Sequence, residues 1–141
     1  MIDLATLIAS MEDPPTLPFM KFINTLEMPV INPMYASKHH CFVYGLAAQE
    51  FQDNRLVKKD VCQNGRGDRA WGIPNHIPSE PWFEPDPTGR AGDDGIALSV
   101  VLNGDTENSY LLFLDGRSFT YINSAKLPTW IPQTFHGRFF H

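Results

Sequence analysis

Two spacings of apolar residues divide this chain. Near its start Leu4, Leu7, Ile8 and Met11 recur in steps of three and four, which places them on one face of a helix. Asp3 can cap that short helix, and Pro14 and Pro15 end it. From Pro29 onward the texture changes to strands. The run CFVYGL at 41–46 and the weakly alternating RLVKKDV at 55–61 predict two of them, with the glycine-bearing stretch QNGRGD at 63–68 as a turn. GIALSVVL at 95–102 is the strongest strand signal, and its near-continuous apolar character predicts burial on both faces. Asn103-Gly104 then opens a hairpin loop into YLLFL at 110–114, and Asp115-Gly116 leads to FTYI at 119–122.

The last three strands therefore form a meander with short connections. Four-stranded antiparallel units of this size are what β-propeller blades are built from, and 41–126 has room for about two. Two blades cannot close a ring, so their edges and apolar faces would stand open. This pattern predicts an all-β chain that is part of something larger.

Composition narrows the picture. The 141 residues suffice for one ordinary domain, and 43% hydrophobic against 19% charged is a globular balance. Twelve prolines and ten glycines among 17 aromatic residues favour short strands and turns over long helices. A net charge of -5 without any basic cluster denser than Arg55, Lys58 and Lys59 argues against nucleic acid, which is held mainly by phosphate neutralisation. Cys41 and Cys62 allow either a disulfide or two thiols. Their low number, and the lack of any Asn-x-Ser/Thr site, favour reduced thiols in a cytoplasmic protein, peripheral to a membrane if attached to one. No apolar run approaches the ~20 residues that span a bilayer. The opening residues carry Asp3 and Glu12 and lack the basic start of a secretory signal. Arg66-Gly67-Asp68 reads as an ordinary turn, since Gly and Asp suit one.

Six segments, in order, carry a resemblance. They are LEMPVINP at 26–33, FVYGL at 42–46, PSEPWFEP at 78–85, DDGIALSVVL at 93–102, SYLLFLD at 109–115 and FHG at 135–137. Together they resemble the C-terminal part of the carotenoid oxygenase family, which takes in carotenoid cleavage dioxygenases and a retinoid isomerase. The resemblance implies the C-terminal blades of a seven-bladed β-propeller. It implies that 1–141 is a C-terminal fragment of that domain, with a short N-terminal helix that has no clear counterpart. It further implies one axial Fe(II) held by four histidines, the last in a Phe-His-Gly near the C-terminus. His136 matches that ligand position. Glu80, in Pro-Ser-Glu-Pro, matches the acid that orients this histidine, and Glu27, in Leu-Glu-Met-Pro, the acid that orients one of the other three.

The chemistry suits those residue types. Neutral imidazoles hold non-haem iron and leave positions for dioxygen. A carboxylate on the second ring nitrogen fixes the tautomer and aims the lone pair. The implied reaction is cleavage by O2 of a conjugated C=C bond in a carotenoid or other apolar polyene, giving carbonyl products. Trp130, Phe135, Phe139 and Phe140 are local candidates to line an apolar tunnel. His39 and His40 read as the polar approach to a strand, His76 as a loop residue and His141 as the terminus. Adjacent Asp93 and Asp94 diverge at a strand start and read as turn residues rather than a catalytic pair. The rival reading is a truncated, non-catalytic remnant or interaction module of the same fold. A third, an unrelated small β-domain, has only the ordered motifs against it.

Overall fold

The structure, a computed structural model, describes residues 25–48, 54–138 and 140. The helix expected over Leu4 to Met11 lies outside the described residues, as do Phe139 and His141.

Among the described residues, nine strands make two antiparallel sheets. The first holds β1 (Glu27–Val30), β2 (Phe42–Ala48), β3 (Asn54–Asp60) and β4 (Arg69–Trp71) in sequence order. The second holds β5 (His76–Pro78), β6 (Trp82–Pro85), β7 (Gly95–Asn103), β8 (Asn108–Asp115) and β9 (Tyr121–Lys126). Strands β5 and β6 share one neighbour: Pro78 pairs with Val101 of β7, and Trp82 with Leu98. They are one outer strand interrupted at Ser79, Glu80 and Pro81, so each sheet is four strands wide. The expected pair of blade-sized meanders is present.

Alternation explains the core. Tyr44, Leu46 and Leu56 of the first sheet meet Phe83, Ala97, Val101, Leu112 and Leu114 of the second, with Phe119 from the loop after β8, in one buried cluster. The Tyr44 and Phe83 rings stack at 4.7 Å. Ala97, Leu98 and Ser99 are buried in succession, so both faces of β7 are covered as expected. Tyr44 donates its hydroxyl proton to Gly116 O at 3.0 Å. Gly116 has no room for a side chain: a Cβ there would stand 2.7 Å from Asp93 O and 2.8 Å from Phe83.

A buried ion pair ties the sheets together. Lys58 Nζ of β3 lies 2.7 Å from Asp93 Oδ2, both side chains almost fully enclosed. The same ammonium donates to Arg117 O and sits over the Phe42 ring. Asp93 is therefore more than a turn residue. Asp94 is the turn residue: its carboxylate accepts from the Arg90 and Ala91 amides and pairs with Arg117.

Three expectations need correction. The final strand begins at Tyr121, not Phe119. Asp115 Oδ1 accepts from the Arg117 and Ser118 amides and closes a tight loop, in which Phe119 takes φ 59° and drops into the core. His76 opens β5 instead of lying in a loop, its Nδ1 2.7 Å from the Tyr110 hydroxyl. Finally, Cys41 and Cys62 are not two thiols but a disulfide. The β2–β3 ladder ends at Phe42 and Asp60, and the Val61 amide donates to Cys41 O, which leaves the two Cα atoms 5.0 Å apart. A separation of 21 residues conceals that closeness in the sequence.

The hairpin loop expected at Asn103-Gly104 is present over 104–107, with Asn103 Oδ1 accepting from the Asp105 and Thr106 amides. The Arg66-Gly67-Asp68 triplet is the expected turn. Asp68 folds back on its own hairpin, accepting from the Asp60 amide and from Lys59 Nζ.

Candidate metal-ligand position

The site is built at the break between β5 and β6. Proline on either side of Ser79-Glu80 lacks an N–H, so a continuous ladder cannot run through. The Ser79 amide still donates to Val100 O at 2.8 Å, and Ser79 O accepts from Ser99 Oγ at 2.8 Å. These bonds fix the backbone on which Glu80 stands.

The chain after β9 turns back toward this break, held step by step. Leu127 N donates to Ser109 O. Ser109 Oγ accepts from Ile131 N at 2.8 Å and donates to Ile131 O at 3.0 Å. Gln133 Nε2 then donates to Pro78 O, and Thr134 N to Ser79 Oγ. Ser79 and Ser109 are both buried, and their hydroxyls serve the tail. Sequence reading missed them. The available signal was a serine within or beside an apolar run, because a buried hydroxyl is nearly always matched.

At the end of this path His136 Nδ1 lies 3.2 Å from Glu80 Oε2, and Gly137 N donates to the same oxygen at 3.3 Å. The Glu80 side chain is only 16% exposed, that of His136 85%. In the tautomer whose Nδ1–H donates to this carboxylate, the Nε2 lone pair is left for a further partner. One imidazole oriented by one carboxylate fits a ligand position in an imidazole-held iron site. Among the described residues, the three-donor cluster is His39, Cys41 and Cys62, elsewhere in the fold.

The other candidates fall as follows. Glu27 is exposed at the start of β1, the edge strand of the other sheet, where it pairs with Leu46. Trp130, Phe135 and Phe140 are exposed apolar side chains on the same tail as His136 and are not core. Arg138 lies 5.9 Å from the Trp82 ring, over the β6 side of the break. His40 Nδ1 contacts Lys38 O, and His39 approaches Cys62.

Comparison with known proteins finds relatives of this chain. The carotenoid dioxygenase of Neurospora crassa is 38% identical over 114 residues, 79% of this chain and 18% of the relative. The mitochondrial carotenoid-cleaving dioxygenase of Mustela putorius furo is 35% identical over 81% of this chain and 21% of its own length. Cobalt-substituted Synechocystis apocarotenoid oxygenase superposes with a TM-score of 0.72 at 29% identity, covering 80% of this chain and 25% of that one. The chain thus spans about a fifth of the length of the curated relatives it matches. Residues 5–141 match the family described as retinal pigment epithelial membrane protein. On these matches and on its blade-like sheets, the chain belongs to that family, the carotenoid oxygenases.

Proposed function

We propose that this chain is the portion of an iron-dependent carotenoid oxygenase that supplies one imidazole ligand, His136, and the carboxylate that orients it, Glu80. The observation that carries this reading is the Nδ1 to Oε2 contact, which leaves Nε2 outward on a tail pinned to the sheet. Fe(II), when held by neutral imidazoles, supplies the chemistry of O2-dependent scission of a conjugated C=C bond into two carbonyls. The remaining ligands come from outside the described residues, and Glu27 serves as the orienting acid for one of them.

Each residue has a defined task in this scheme. Glu80 holds the Nδ1 proton and so keeps the tautomer whose Nε2 can ligate. Its negative charge offsets that of the metal without taking a coordination position. Trp130 and Phe135 offer apolar surface beside the ligand for an apolar polyene, a carotenoid or apocarotenoid. Similarity to proteins named as carotenoid dioxygenases supports the substrate class.

The test joins this segment to the upstream portion of a relative and measures carbonyl product from a carotenoid under air, with iron assayed in the same samples. The fused protein is expected to be active, and His136→Ala to lose both iron and turnover. An active His136→Ala protein would overturn the metal assignment. The 141 residues alone are expected to be inert, because one imidazole cannot enclose an iron that four hold; turnover by the isolated chain would overturn the fragment reading.

A further inference from the structure

Far from Glu80 in sequence, the open end of the β2–β3 hairpin brings together three soft or borderline metal donors. Nε2 of His39 lies 3.9 Å from Cys62 Sγ, and one donor atom from each of His39, Cys41 and Cys62 falls within 4.8 Å of the others. His39 and Cys62 are exposed and Cys41 is half-buried, so solvent reaches the group.

The cysteines owe their positions to more than the bond between them. Val61 N donates to Cys41 O at 2.8 Å, and Asp60 Oδ1 accepts from the Cys62 and Gln63 amides. Asp60 is in turn held by Gly67, where a Cβ would meet its carboxylate at 2.4 Å, and by the Asp68 carboxylate on its amide. His39 follows a pinned segment. The Lys38 amide donates to Tyr35 O, the Tyr35 hydroxyl to Arg90 O, and Asn32 Nδ2 to Gly92 O. Three donors on two fixed segments are largely preorganised.

We propose that, when the disulfide is reduced, His39, Cys41 and Cys62 form a site for Zn2+. A thiol reductant gives two electrons and two protons to the S–S bond and is itself oxidised to a disulfide. Zn2+ then displaces the two thiol protons to solvent and is held by two thiolates and the neutral His39 Nε2, with water in the fourth position. The geometry suits a tetrahedral ion. Zinc–sulfur bonds of about 2.3 Å and zinc–nitrogen bonds of about 2.0 Å set donor atoms roughly 3.6–3.8 Å apart. The His39 to Cys62 distance already matches, and rotation of side chains on Cα atoms 5.0 Å apart opens the thiolates to that span. The hairpin end is thereby tied covalently under oxidation and by a metal under reduction.

The experiment titrates Zn2+ into the full chain against a chromophoric chelator, before and after reduction with a non-chelating phosphine. Co2+ is used in parallel for its thiolate charge-transfer absorption. One equivalent of Zn2+ is expected after reduction and none before. Cys41→Ser and Cys62→Ser should each lose it. His39→Ala should weaken it by more than the roughly 10–100-fold that loss of a ligand's outer partner costs. His136→Ala should bind as the parent does, which separates this site from the other histidine. Absence of uptake after reduction, uptake by the oxidised chain, full affinity in His39→Ala, or loss in His136→Ala would each overturn the proposal. If a cysteine variant fails to fold, His39→Ala still decides, since it leaves both cysteines and the strand ladder in place.

Discussion

Glu80 and His136 stand 56 residues apart in the chain, yet Oε2 of one lies 3.2 Å from Nδ1 of the other. The contact joins a strand break to a returning tail, and neither segment would place its side chain without the other. Because the carboxylate also accepts from Gly137 N, it fixes the backbone that carries the ring as well as the ring itself. Glu80→Gln keeps the shape but removes the charge and can present an amide N–H to Nδ1. In a protein completed by upstream blades, iron retention is expected to fall about 10–100-fold. Iron content per chain after dialysis, with turnover in the same samples, checks this; unchanged values would remove Glu80 from the site.

The tail depends on Ser109. Its hydroxyl makes two hydrogen bonds to Ile131 while almost fully buried. Ser109→Ala leaves both Ile131 groups without that partner, a local cost of about 1–3 kcal/mol. Amide exchange at Ile131 and Thr134 should accelerate while the amides of β7 keep their protection. Uniform acceleration across the sheet would mean that the serine supports the whole fold instead.

Lys58→Met should strand the Asp93 carboxylate in the space between the sheets. Breaking one side of a buried pair typically costs about 3–5 kcal/mol, which a denaturation midpoint will register. Lys58→Met combined with Asp93→Leu should recover much of that loss, because no unpaired charge then stays buried. A single variant as stable as the parent would show that water reaches Asp93.

Burial, reinforced by the nearby Asp93 charge, pushes the Tyr44 phenol well above its usual range, and burial raises Tyr110 to about 12. The folded chain thus keeps protons that the unfolded chain releases above about pH 10. Stability contributed this way is intact below that point and falls as pH rises beyond it. Tyr44→Phe should cost about 1 kcal/mol near neutrality, from the lost bond to Gly116 O. It should also flatten the alkaline fall. Denaturation midpoints taken between about pH 8 and about pH 11.5 test both halves.

What the sequence determined by itself was local. Strand spacing in 41–46, 55–61, 95–102 and 110–114 is written in alternation and apolar runs, because side chains on a strand point to opposite faces in turn. The burial of β7 on both faces and the turn at 63–68 were legible for the same reason. His136, Glu80 and Glu27 stood out through short motifs rather than through periodicity. Tertiary structure alone decided which residues meet. Lys58 finds Asp93 across 35 residues, and Cys41 finds Cys62 across 21. Loop closure grows costlier only slowly with length, so spacing along the chain says little about which partners close. Phe119 shows the same limit at short range. Its run alternates like a strand, yet the Asp115 carboxylate captures the following amides and the ring turns into the core. The orientation of His136 likewise comes from two buried serines, one at the β5–β6 break and one on β8, whose hydroxyls meet the tail only once the second sheet has formed.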